Sequence, residues 1–200
     1  DPSNGEMILR NGQADMVTIA RGLIADPDLP IKAKDGKPDL IYHCIACNQG
    51  CFDHIFQFKP VTCLVNPRAG REGELESGPA PNPKKILVIG GGPAGLKAAC
   101  TAAERGHRVI LAEKQMQLGG QLLLNHHIPG KKEMFTAARD LMNNLKALNV
   151  ETLLGKKMGL SEVEALAPDA VVVATGSKPV VRAIDAAARR RITTRGSGIR

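Results

Sequence analysis

Four cysteines constrain this chain more than any other feature. Cys44, Cys47 and Cys51 lie in His43-Cys44-Ile45-Ala46-Cys47-Asn48-Gln49-Gly50-Cys51, and Cys63 follows in Val61-Thr62-Cys63-Leu64-Val65-Asn66-Pro67, giving Cys-x2-Cys-x3-Cys-x11-Cys. Three thiolates on one short segment can wrap one side of an inorganic cube while the fourth is delivered by a separate loop, so the chain must fold back on itself here. The spacing predicts a [4Fe-4S] site. Zinc is the first alternative, although four-cysteine zinc sites usually come as two matched Cys-x2-Cys pairs. Disulfides are the second, and they need an oxidising compartment; nothing here resembles a secretory signal, so a cytoplasmic setting is expected. Asn48, Gln49 and Gly50 suit a tight loop whose backbone N–H groups aim at the sulfurs. His43 and His54 flank the ligands, and with four cysteines available both are expected to be structural or exposed.

Upstream, Gly5 to Arg10 reads as a last helical turn stopped by Asn11-Gly12, residue types that tolerate a left-handed cap. Asp15-Met16-Val17-Thr18-Ile19-Ala20 reads as a short buried strand running into Arg21-Gly22 and a short helix, which offers a cation and free N–H groups to a phosphate. The chain starts at Asp1, and its first element is expected to be the end of something longer. Lys32 to Pro38 reads as a polar loop. Phe52, Phe56 and Phe58, most of the aromatic content, are expected either to shield the cysteine site or to pack in the core. Residues 66–84 are rich in Pro, Gly and charge, so a linker is expected there with a domain boundary near residue 83.

Beyond the linker comes a second motif. Lys85-Ile86-Leu87-Val88-Ile89 is an apolar strand of the kind buried on both faces, followed by Gly90-Gly91-Gly92-Pro93-Ala94-Gly95, a helix from Leu96 to Arg105, Gly106 as its cap, and a second strand, Arg108 to Glu113. A glycine motif alone is weak, but here a strand precedes it, a helix follows it, and an acid lies 18 residues past Gly95. In this reading Gly90 permits the turn, Gly92 lets a pyrophosphate approach, Gly95 lets helix and strand pack closely, and Glu113 accepts from an adenosine ribose. Its charge disfavours a 2′-phosphate, which points to FAD, NAD or ADP. Leu118-Gly119-Gly120-Gln121 can bring backbone to a ring system. Lys132 to Leu148 has helical periodicity, Val150 to Leu154 reads as a strand, and Ser161 to Glu164 as a capping box. Ala170 to Gly176 reads as another buried strand. Cys100 falls on the apolar helix face and reads as core. The adjacent His126 and His127 point in different directions and make a poor metal pair.

Several classes are excluded. No run of about eighteen apolar residues exists, so no membrane span is expected. Aromatics make up only 2% of the chain, which argues against single-strand nucleic-acid platforms. The net charge of +7 is concentrated in residues 181–200, where six arginines face Asp185 alone; the rest is nearly neutral, so no nucleic-acid partner is expected.

Taken together, Ala20-Arg21-Gly22-Leu23-Ile24-Ala25-Asp26-Pro27, the cysteine segment, Cys63 to Pro67 and the Gly90 to Gly95 turn resemble the iron–sulfur flavoprotein branch of the old yellow enzyme superfamily. This branch includes 2,4-dienoyl-CoA reductase, 2-enoate reductase and trimethylamine dehydrogenase. The resemblance implies an α/β chain in four parts. Residues 1–35 would end a TIM barrel, with Ala20, Arg21 and Gly22 at the phosphate of FMN. Residues 36–83 would carry the cluster on Cys44, Cys47, Cys51 and Cys63, and residues 84–180 would form an incomplete Rossmann-like domain for FAD or ADP. Residues 181–200 match nothing in the family. Gly120, Gln121, Thr175 and Gly176 match positions near the second flavin or nucleotide. The implied parent takes electrons from NAD(P)H to an activated C=C bond of a small substrate, and its catalytic residues lie in barrel strands outside this chain.

Overall fold

The computed structural model describes residues 2–75 and 78–177, so the basic tail at 181–200 lies outside the described residues. The N-terminal portion is helical: α1 (Pro2–Arg10), α2 (Ala20–Ala25), α3 (Leu29–Lys34) and, after the first three cysteines, α4 (Phe52–Phe56). Gly12, at φ +63°, supplies the left-handed residue that stops the chain after α1.

From residue 85 the chain alternates strand and helix: β1 (Lys85–Ile89), α5 (Pro93–Glu104), β2 (Arg108–Glu113), α6 (Lys132–Ala147), β3 (Glu151–Leu154), α7 (Leu160–Leu166) and β4 (Ala170–Val173). The four strands form one fully parallel sheet in the order β3-β2-β1-β4. Parallel neighbours need crossover helices, which cover the faces and explain why the strands read as apolar runs. On one face Val88, Leu96, Ala99, Cys100, Leu111, Leu141 and Leu145 interlock beneath α5 and α6. On the other, Leu87, Ile110 and Ala112 meet Met158, Val163 and Leu166 from α7 and the loop before it. Each large side chain so buried contributes about 1.5–3 kcal/mol. The strand order reverses direction at β1, so a crevice opens beyond the carboxyl ends of β1 and β4, the usual ligand position in such sheets.

Several local expectations fail. Residues 15–19 form no strand, and Met16 is 78% exposed. Among the described residues no neighbouring strand is available to accept its ladder, and a strand without a partner leaves its N–H and C=O groups unpaired. The polar loop at 32–38 is helical through Lys34, because Leu29 and Pro30 start α3. The three phenylalanines pack in no core: Phe52, Phe56 and Phe58 are all exposed, the last fully. The helix cap near residue 160 lies two residues earlier than expected. Gly159 is the N-cap, and its N–H donates to the Glu162 carboxylate at 2.9 Å; hydrogen bonds from Glu162's own backbone N–H, from Gly159 and from the Ser161 hydroxyl hold the Glu162 carboxyl below its usual range. Among the described residues β4 is an edge strand, with Val173 71% exposed rather than buried. Within residues 66–84 the Asn66 side chain donates to Ile24 O and Ala69 is buried.

Candidate functional site

The cysteine loop is assembled by backbone contacts. Thr62 N donates to Gly50 O at 2.8 Å, bringing the residues before Cys51 and Cys63 together. Only glycine fits at 50, since a Cβ there would lie 2.6 Å from Thr62 Oγ1 and 2.7 Å from Thr62 O. Ala46 and Asn48, on either side of Cys47, take left-handed φ of +51° and +58°. Such conformations cost a non-glycine residue about 1–3 kcal/mol and occur where surrounding structure over-determines them; alternating handedness also turns successive N–H groups into an anion-binding hollow. Cys44, Cys47, Cys51 and Cys63 are free thiols, and all four line one small cavity. Among the described residues no three His, Cys, Asp or Glu converge on a position for a single metal ion.

Arg21 reaches the same cavity. Its Nη1 donates to Asn48 Oδ1 at 2.8 Å, so the cation at the start of α2 is tied to the cysteine loop, with Ala20 and Gly22 beside it. His54 Nδ1 contacts Pro60 O at 2.8 Å and His43 contacts Asp140, so both flanking histidines have structural partners.

The glycine turn after β1 is equally specific. Gly90 has φ +113° and lies against Ala174 O and Thr175 N, while a Cβ on Gly95 would lie 1.8 Å from Gly90 O. Gly92 is different: an added Cβ would meet nothing nearer than Gly120 Cα at 4.0 Å, so space opens in front of it at the N-terminus of α5. Gly119 N donates to Gly91 O at 2.7 Å, which seats Gly120 opposite Gly92. Gln121 Nε2 donates to Ser177 O at 3.2 Å, beside Gly176. Gly90, Gly92, Gly95, Gly120, Gln121, Thr175 and Gly176 thus meet at one end of the sheet. Glu113, 8% exposed, accepts from Gly91 N at 2.6 Å and Gln115 N at 2.8 Å, so both its oxygens are already engaged, one of them bracing the glycine turn. A second cavity lines up Gly90, Glu113, Lys114, Lys156, Lys157 and Thr175.

A largely apolar third cavity of about 400 Å³ borders both motifs. It shares Ile45, Leu64 and Val65 with the cysteine loop and Pro93 and Ala94 with the start of α5. Two residues escaped the sequence reading. Asp26 and Asp140 are 2% and 1% exposed, and both bind the segment just before Cys44. The available signal was an acid in the apolar stripe of α6, where Asp140 and Asn144 sit four apart beside Leu141 and Leu145.

Residues 84–197 match the family model described as pyridine nucleotide-disulphide oxidoreductase. The chain is 48% identical over 183 residues to a metal reductase of Desulforamulus reducens, covering 90% of this chain and 27% of that protein. It is 47% identical over 189 residues to an NADH oxidase of Thermoanaerobacter brockii, covering 94% and 29%. A solved 2-naphthoyl-CoA reductase complex superposes with TM-score 0.88 at 36% identity, covering 92% of this chain and 28% of that one. The chain therefore spans little more than a quarter of the relatives it matches. It belongs to the pyridine nucleotide-disulphide oxidoreductase family, and its relatives are those of the old-yellow-enzyme-like iron–sulfur flavoprotein branch.

Proposed function

We propose that this chain is the electron-relay portion of a flavin- and iron–sulfur-dependent oxidoreductase that takes electrons from NAD(P)H and reduces an activated C=C bond. In this reading Cys44, Cys47, Cys51 and Cys63 hold a [4Fe-4S] cluster. Gly90, Gly92, Gly95, Glu113, Gly120, Gln121, Thr175 and Gly176 hold FAD, and Ala20, Arg21 and Gly22 meet the phosphate of FMN. The observation that carries the reading is that the four thiols, three from one short segment and one from a separate loop, line a single cavity, an arrangement that suits a cluster cube better than the paired knuckles of a four-cysteine zinc site. When bound, such cofactors exchange electrons in pairs at a flavin and singly at a cluster.

The residues of this chain bind and orient. The left-handed backbone at Ala46 and Asn48 shapes the loop on either side of Cys47, and the N-terminus of α5 faces the open space at Gly92 with its positive dipole end. Arg21 ties the α2 phosphate position to the cysteine loop through Asn48. The largely apolar cavity bordering both motifs offers ring-sized space between them. Relatives named for cinnamate reduction and 2-naphthoyl-CoA reduction support an unsaturated acid or its thioester as substrate.

A second reading has the same architecture with ADP held structurally at the Gly90 turn, as part of an amine dehydrogenase. Relatives named dimethylamine dehydrogenase and histamine dehydrogenase favour it. Anaerobic preparation followed by metal analysis and nucleotide extraction tests both. About four irons per chain with released FAD support the reductase, and released ADP the amine dehydrogenase. Stoichiometric zinc without iron overturns the cluster in either.

A further inference from the structure

The peptide leading into Cys44 is gripped from two sides. Asp26, just after α2, accepts from Tyr42 N at 2.9 Å; its carboxylate is also bonded by Asp28 N at 3.0 Å and Lys32 Nζ at 2.7 Å. Asp140, on α6, accepts from the very next amide, His43 N, at 2.7 Å, and its Oδ2 also meets His43 Nδ1 at 3.0 Å. Its other oxygen takes Arg139 Nε at 3.1 Å and Nη2 at 2.9 Å. In extended backbone consecutive N–H groups point to opposite sides, so one carboxylate on each side fixes both dihedral and position. The Tyr42 ring is held further between Lys32 Nζ at 4.8 Å and Lys97 Nζ at 4.6 Å.

Simple tethering does not explain this. The same segment is already fastened to α6 by Asn143 Nδ2 on Asp39 O at 3.0 Å and Asn144 Nδ2 on Leu40 O at 3.1 Å, and Ile41 is fully buried. Burying two carboxylates is costly even when they are paired, and apolar side chains fasten a loop with less penalty. What carboxylates add is a rigid, charge-assisted hold on the amide next to a thiolate, and a fixed negative potential beside the centre that thiolate would bind.

Resting on the cluster reading above, we propose that Asp26 and Asp140 form a two-sided carboxylate clamp that positions Cys44 as a ligand, with Asp140 also holding down the reduction potential of the metal centre. They are positioning residues, because they act through the amides of Tyr42 and His43. Partners of this kind around a metal site change its affinity about 10–100-fold, and added negative charge opposes uptake of an electron.

The test uses the full chain, loaded anaerobically with iron and sulfide. D140N keeps an acceptor for His43 N and removes the charge, so it retains iron with an altered paramagnetic resonance signal and a midpoint potential above wild type. D140L removes both, and loses iron to a chelator about 10-fold faster. D26N is expected to speed iron loss in the same sense, while N143A, which cuts only a tether, behaves as wild type. Should D140L fail to fold, D140N and D26N decide. Wild-type spectrum, potential and iron-loss rate in both of those variants overturn the clamp. Failure of the wild-type chain itself to take up iron overturns the cluster reading, and the clamp with it.

Discussion

Replacing Gly95 with alanine tests whether the turn after β1 is built for close approach. The added Cβ would lie 1.8 Å from Gly90 O and 3.0 Å from Gly90 C, both backbone atoms that cannot rotate aside. Ordinary contact begins at 3.4 Å, so the start of α5 must retreat from β1 by roughly 1.6 Å. Overpacking of this kind costs about 1–3 kcal/mol, and a backbone obstacle puts it near the upper end. Alanine's better helix propensity returns about 1 kcal/mol, leaving a net loss of about 1–2 kcal/mol. The retreat also withdraws the helix N-terminus from the open space at Gly92, so adenine-nucleotide affinity should fall by about 10-fold, or about 1.4 kcal/mol. Gly106 is the control: its φ is +86°, but a Cβ there meets nothing within 4 Å. G106A should therefore cost about 1 kcal/mol of backbone strain and leave the affinity unchanged. Urea unfolding followed by circular dichroism, with calorimetric titration of ADP, reads both effects. A G95A chain as stable as wild type, or G106A weakening ADP equally, refutes the reasoning.

E113Q should weaken adenine-nucleotide binding by about 1–3 kcal/mol, the scale of a hydrogen bond to a charged buried group; undiminished affinity would limit Glu113 to bracing Gly91 and Gln115. C47A should bleach the iron-loaded chain, whereas C100A keeps its colour because Cys100 is fully buried beneath α6; equal loss in both would detach the colour from the cysteine cavity. Burial pushes the Cys100 thiol up to about 11 from 9.0, with Glu104 adding to it, so the folded state holds this proton more tightly than the unfolded one. The resulting stability is complete below pH 9 and declines between pH 9 and 11; burial also raises the Tyr42 phenol above its ordinary value and extends the decline above pH 10. C100A should flatten the part between pH 9 and 10, read by unfolding at each pH, and an unchanged slope would contradict the assignment.

What was legible in the sequence was information stored within a few residues. The run from Lys85 to Glu113 carries strand, turn, helix, cap and strand in one stretch, each set by local periodicity or by a glycine whose need is steric, and it folds as read. The cysteine spacing is local in the same sense, and Gly50 shows why the loop can close. What the sequence alone missed depends on partners far along the chain. Residues 15–19 have strand composition, but a strand exists only where another backbone accepts its ladder, and among the described residues none does. The phenylalanines of the Phe52 to Phe58 stretch have core composition, yet lie outside because burial belongs to an environment and not to a residue type. Asp26 and Asp140 look like ordinary surface acids until α2 and α6, over a hundred positions apart, bring them to neighbouring amides. Only tertiary structure decides such meetings, because a hydrogen bond depends on distance in space and sequence patterns record distance along the chain.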